Sequence, residues 1–215
     1  MSVIPFSQAL RARTMASHGD SAGATFMDDL VNGRGTRDDY VALVAQHYYL
    51  YEALEAAAER FADDPVAAPF ISPQLTRLPA LELDLDFLVG PDWRDTYPPV
   101  PATVRYVDRI NEIAAQGWAG GFVAHHYTLY LGDLSGGQAI AKLMQRQFGF
   151  ETNGVAFYVF DQIASPKQFK DTYREQLDSV AWDELEREHV IDEVLAAYAF
   201  NTDVFVDLAA AKAAA

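Results

Sequence analysis

The sequence predicts an all-α fold, a single domain of several packed helices. Three observations carry that expectation. Apolar residues recur at the three-then-four spacing of a helix face along most of the chain. No stretch alternates with period two for long enough to build a sheet. Glycine and proline clusters cut the chain into segments of helical length. Half of the 215 residues are hydrophobic and 22% are charged, enough for one complete core.

The first helical pattern carries Arg11 and, near its C-terminal side, His18 followed by Gly19. Thr36 with Asp39 three residues later reads as a helix-start cap. Tyr40, Leu43, Val44, His47, Tyr51 and Leu54 then share one face. Proline-rich breaks at Pro65–Pro73 and Pro91–Pro101 follow, and Val104, Val107, Ile110 and Ile113 resume the spacing. Between the breaks at Gly117–Gly121 and Gly149–Gly154 one long helical pattern runs from Phe122 to Phe148. The last face is Ile191, Val194, Leu195, Tyr198, Asn201, Thr202 and Phe205. The boundary signals predict roughly seven or eight helices, with no linker and no repeat. One domain is expected over residues 1–208, followed by an alanine-rich stretch at 209–215 that reads as a frayed helix end or a short tail.

Charge and composition narrow the function classes. Sixteen basic against 31 acidic residues give a net charge of −15, which repels nucleic acid and anionic membrane. The absence of cysteine excludes disulfides, thiolate metal sites and cysteine nucleophiles, and fits a cytoplasmic protein. Met1 to Leu10 lacks the apolar core of a secretion signal. No stretch is expected to be long and apolar enough to span a membrane.

The segment Gly132-Asp133-Leu134-Ser135-Gly136-Gly137-Gln138 is the most unusual in the chain. It places three glycines inside a helical pattern, at a cost of roughly 2–3 kcal/mol if summed. Glycine there serves either a tight helix crossing or a bare surface for a flat ligand. Gly132 and Gly136, four apart, share a face, and Asp133 sets a polar group beside it. The glycines alone leave the two alternatives even.

The longer run Tyr127-Thr128-Leu129-Tyr130-Leu131-Gly132-Asp133-Leu134-Ser135-Gly136-Gly137-Gln138 resembles the signature of haem oxygenases. The resemblance extends over nearly the whole chain. It takes in His18 with Phe26-Met27, Tyr51 to Glu55, Ala80 to Leu85, Gly90 to Trp93, Phe157 to Phe160 and Phe169 to Arg174, and ends around Asn201 and Phe205. It implies a haem-oxygenase-like multi-helix fold with haem b between a proximal helix and a kinked distal helix. Haem would be both cofactor and substrate, opened with O2 to biliverdin, carbon monoxide and Fe2+. Electrons would come from ferredoxin or an NAD(P)H-dependent reductase, a transient protein partner. A monomer without a membrane anchor is expected.

Among His18, His47, His125, His126 and His189, spacing alone does not select an iron ligand. His125 and His126 are neighbours that diverge by about 100° on a helix. The resemblance selects His18, whose neutral imidazole is a suitable axial donor. Arg11 lies two turns earlier, about 10 Å along the axis on nearly the same face. By resemblance it contacts a haem propionate. The family usually carries a carboxylate four residues after the ligand; here Ala22 stands there, and Asp20 is the nearest substitute.

Lys167, Lys170 and Arg174 fall at i, i+3 and i+7, a basic stripe on an acidic protein. They serve either as surface ion pairs with Asp171, Glu175 or Asp178, worth little, or as an anion site. By resemblance Lys170, Tyr173, Arg174 and Tyr127 hold the propionates, and Phe205 also contacts haem. Asp133 is implied as the anchor of ordered water and protons, with Gly132 and Gly136 keeping bulky groups away and Tyr51 and Asn201 as outer members of the network. Leu129 departs from the arginine common in relatives. Three alternatives remain: a non-catalytic haem carrier of the same fold, a helical interaction module, and a di-iron bundle for which only Glu186 and His189 offer a ligand pair.

Overall fold

A computed structural model describes residues 4–22 and 24–214. Among them every regular element is helical, so the all-α expectation holds. Ten α-helices follow in order: α1 (Phe6–Ala22), α2 (Thr25–Val31), α3 (Arg37–Arg60), α4 (Leu78–Leu88), α5 (Trp93–Thr96), α6 (Pro101–Gln116), α7 (Ala119–Gly132), α8 (Gln138–Phe148), α9 (Pro166–Ser179) and α10 (Glu184–Ala214). Two of these, α2 and α5, are short pieces that periodicity does not register. Between α7 and α8 the residues Asp133–Gly137 form a π-helical turn, so the long pattern from Phe122 to Phe148 is continuous but underwound at its centre.

Local chemistry explains the boundaries. Thr36 and Asp39 form the reciprocal cap that starts α3. Pro101 opens α6, and Gly117 closes it in the left-handed conformation (φ 66°), which glycine takes without steric cost. On α6 the buried face is Ala102, Thr103, Tyr106, Ile110 and Ile113, whereas Val104, expected inside, is 43% exposed. The fully buried Tyr106 sets the helix rotation, because its ring carries the largest apolar surface.

One core runs through the molecule, centred on α3, α7 and α10. Helix α1 joins it through Phe6 and Leu10. It is tied to α9 by Ser7, whose backbone N–H and hydroxyl both donate to Asp178 (2.7 and 3.0 Å). One expectation narrows and one needs correction. Of the two readings of the stretch from Ala209, it is the helix end and not a separate tail: it continues α10 to Ala214, and Lys212 reaches the Asp39 carboxylate (2.8 Å). Helix α10 also has the length and apolar composition that a membrane span requires, where none was expected. Its Val190, Ile191, Val194, Ala197, Val204 and Leu208 are buried within this fold.

Candidate active site

Two adjoining cavities, of about 410 and 170 Å³, open between α1 on one side and α7, the π turn and α10 on the other. His18, Gly132 and Tyr198 line both, so they form one slot. Of the five histidines only His18 combines exposure with a place on this slot; its ring stands edge-on to Tyr198, centroids 5.6 Å apart. The side chains of Asp20 and Ala22, expected behind His18, lie outside the described residues.

The opposite wall is bare at Gly132, which lines both cavities; Gly136, one turn on, lines neither. A Cβ built on either glycine meets nothing within 4 Å, and both are exposed. Neither has a positive φ, so backbone conformation does not demand glycine there. Gly137 differs: a Cβ on it would lie 2.6 Å from the Tyr158 ring. The two uses of glycine are thus divided along the same turn, Gly137 for close packing and Gly132 with Gly136 for an open ledge.

Asp133 opens the π turn and borders the inner cavity. Tyr51, fully buried on α3, donates its hydroxyl to the Asp133 carboxylate. Burial pushes the carboxyl up to about 7, against the opposing pull of that hydrogen bond and of the Arg77 charge. A carboxyl poised near neutrality can both take and return a proton. Asn201 and Phe205 reach the same cavity from α10, one and two turns beyond Tyr198.

The wider cavity has a basic rim. Arg11 from α1 and Lys170 and Arg174 from α9 line it together with Tyr127. Burial raises the Tyr127 hydroxyl, while the charges of Arg174 and Arg11 pull it back. Lys170 donates to the Ser135 hydroxyl (2.9 Å), and Arg174 pairs with Asp171 (3.0 Å). Lys167 lies outside the slot, highly exposed and paired with Asp171 (2.8 Å).

Tyr173 does not join this rim. It is buried with its ring stacked on His126 (14° between planes), and its hydroxyl lies 3.0 Å from the His126 Nδ1. On a helix it is turned about 100° from Arg174, its neighbour in sequence. Burial pushes His126 down to about 3, so its neutral ring accepts that hydrogen bond. His125 is also buried, against Glu193 (2.8 Å). Glu186, from the carboxylate–histidine pair weighed for iron, accepts the indole N–H of Trp118 (2.7 Å), and His189 is exposed.

Sequence reasoning did not assign His47, Tyr158, Thr128 or Leu43 to the site, yet all four line the inner cavity. A signal existed for His47, a titratable residue on an otherwise apolar helix face.

The residues present suit a flat, anionic macrocycle: an available imidazole, a ledge that any side chain would fill, and three cations at one edge. Comparison with known proteins points the same way. The model of the family described as heme oxygenase matches residues 4–207. The chain is 39% identical to heme oxygenase 1 of Homo sapiens, over 94% of this chain and 71% of that protein. It is 37% identical to heme oxygenase 1 of Synechocystis, over 93% and 82%. The crystal structure of the Synechocystis heme oxygenase-1 in complex with heme superposes with a TM-score of 0.90 at 35% identity, covering 95% of this chain and 92% of that one. The heme oxygenase structure from Leptospira interrogans gives 0.89 at 31%, covering 94% and 98%.

Proposed function

This chain belongs to the haem oxygenase family, and on that premise we propose how its residues carry out the family's reaction, the oxidative cleavage of haem to biliverdin. The observation that carries the proposal is the side-chain-free Gly132, which lines the same slot as the His18 imidazole, with Gly136 one turn on facing open space. Haem supplies the redox chemistry: its iron binds and activates O2, and its own rim is oxidised, releasing carbon monoxide and Fe2+ along with biliverdin.

His18 would hold the haem iron through an imidazole nitrogen. Arg11, Lys170 and Arg174 hold the propionates, with the Tyr127 hydroxyl beside them; the planar guanidinium fork of arginine suits a carboxylate. Gly132 and Gly136 let the ring lie against peptide groups. No bulky acid or base therefore stands over the iron, and oxidation is directed to the ring edge.

Asp133 holds a water and returns protons to the reacting oxygen, and Tyr51 fixes the carboxyl's orientation. Asn201 presents a polar amide from the opposite helix, and Phe205 closes the inner end. Electrons come from outside, through transient contact with ferredoxin or an NAD(P)H-dependent reductase. A cytoplasmic monomer is the expected setting.

A haem carrier of the same fold would need the imidazole and the clamp but not Asp133. Turnover of the haem-loaded protein with a reductant and O2 tests the difference. The wild type should form biliverdin, seen as its broad red absorption replacing the haem bands. Asp133→Ala should bind haem and yield little product. Equal biliverdin from that variant would remove Asp133 from the reaction.

A further inference from the structure

Two residues of the inner wall, His47 and Tyr158, carry buried polar atoms that belong to no interaction described so far. The Nδ1 of His47 and the hydroxyl of Tyr158 are shut off from solvent and receive no hydrogen bond from the protein. Native structures rarely leave such groups unpaired. The other orphaned atoms, on Thr103, Gln147 and Arg187, lie on residues that line neither cavity of the slot. The two at the slot share its inner cavity with Asp133.

Both side chains are firmly placed. His47, from α3, stacks on the Phe157 ring (5.1 Å between centroids, 28°), and Phe157 packs edge-on against Tyr158 (4.7 Å). The turn carrying Phe157 and Tyr158 is held by Asp84, whose carboxylate accepts the N–H groups of Gly154, Ala156 and Phe157 (2.7–3.0 Å). Arg77 donates to the carbonyls of Phe157 and Val159. From the other side Tyr158 abuts Gly137, four residues beyond Asp133 in the π turn.

Their chemistry is complementary. Burial pushes His47 down to about 4, so its ring is neutral and offers one donor and one acceptor. The Tyr158 hydroxyl likewise gives one hydrogen bond and can accept others. Leu129, on the same wall, offers none, and the Thr128 hydroxyl is already committed to the Ala124 carbonyl (2.9 Å).

We propose that His47 and Tyr158 are positioning residues for haem cleavage: together they hold an ordered water beside Asp133, and that water gives a hydrogen bond to a small ligand on the iron. The proposal rests on the haem-binding reading above. It makes the distal polar wall a joint product of α3, the π turn and the 154–158 turn, with a neutral imidazole in the place of a cation.

Fluoride titration of the ferric haem-loaded protein tests it, because fluoride binds haem iron and is stabilised by hydrogen bonds from the distal side. His47→Leu and Tyr158→Phe should each weaken fluoride binding about tenfold, the loss of one hydrogen bond. His47→Gln, which keeps a donor and an acceptor, should restore most of it. Haem affinity should stay at the wild-type level in all three. Unchanged fluoride affinity in the two apolar variants, with haem-free forms that melt above the wild type, would show the orphaned atoms to be packing misfits and overturn the proposal. Tyr158→Phe removes a single oxygen and keeps the ring, so it decides the matter if His47→Leu does not fold. A wild-type protein that takes up no haem would overturn the underlying reading instead.

Discussion

The Tyr51 hydroxyl is hydrogen-bonded to the Asp133 carboxylate, joining the middle of α3 to the first residue of the π turn. Buried Tyr51 cannot follow solvent, so it sets the orientation of the acid. Burial at the inner cavity raises the acid to about 7.

Asp133 is expected to give the haem-free protein a pH-dependent stability. Its folded pKa is raised by burial to about 7, above the ordinary carboxylate value of about 4. A raised group favours folding when protonated, so the contribution is complete below about pH 4 and is lost as pH climbs through about 7. Asp133→Asn cannot titrate and should flatten the stability profile between those limits. Urea unfolding at several pH values measures this, and parallel profiles for both proteins would contradict it. Glu193 acts with the opposite sign and at lower pH. Burial alone would raise it, but His125 and Arg109 together hold it at about 2, so its contribution is lost only as pH falls toward that value.

The glycines of the π turn should respond in opposite ways. Gly136→Ala enters open space and should stabilise the haem-free protein by about 0.5–1 kcal/mol. Gly137→Ala drives a methyl group into Tyr158 and should cost about 1–3 kcal/mol. Gly136→Leu should leave folding intact and abolish tight haem binding. Thermal melts and haem titrations of the three variants give the pattern, and equal effects at 136 and 137 would refute the division.

Tyr173→Phe should lower stability by about 1 kcal/mol, because it removes the partner of the buried His126 Nδ1. Haem affinity should be unchanged. Weakened haem binding in that variant would return Tyr173 to the slot.

Arg174→Ala combined with Lys170→Ala should weaken haem binding about tenfold and reduce its dependence on salt, since charge-assisted hydrogen bonds to carboxylates are lost. The product should become a mixture of biliverdin isomers as the ring gains freedom to rotate. Chromatography of the products reads this out, and a single unchanged isomer at unchanged affinity would dismiss the clamp.

Much of this was legible in the sequence because it depends on spacing. The α3 cap, the three-then-four faces and the interrupted long helix are local patterns, and local patterns survive into the fold. The roles of the three glycines were not separable, because the difference lies in Tyr158, a residue brought up from 21 positions away by the Asp84-anchored turn. Tyr173 was misplaced for a related reason. A tyrosine between two cations reads as part of their site, yet its direction on α9 sends it to His126. His47 was visible as a polar residue on an apolar face, but nothing short of the packed structure shows that face bordering the slot. Helix α10 runs past the domain boundary expected at 208, as the helix-end reading of the alanine stretch allows, because alanine is the best helix former.

The central claim is that His18 tethers haem against the Gly132–Gly136 ledge. The most direct measurement is an absorption titration of haem into the wild type and His18→Ala, with imidazole added back to the variant. The wild type should bind one haem per chain with the Soret band of an imidazole-ligated iron. His18→Ala should show an altered band that free imidazole restores. A variant spectrum identical to the wild type without imidazole would contradict the claim.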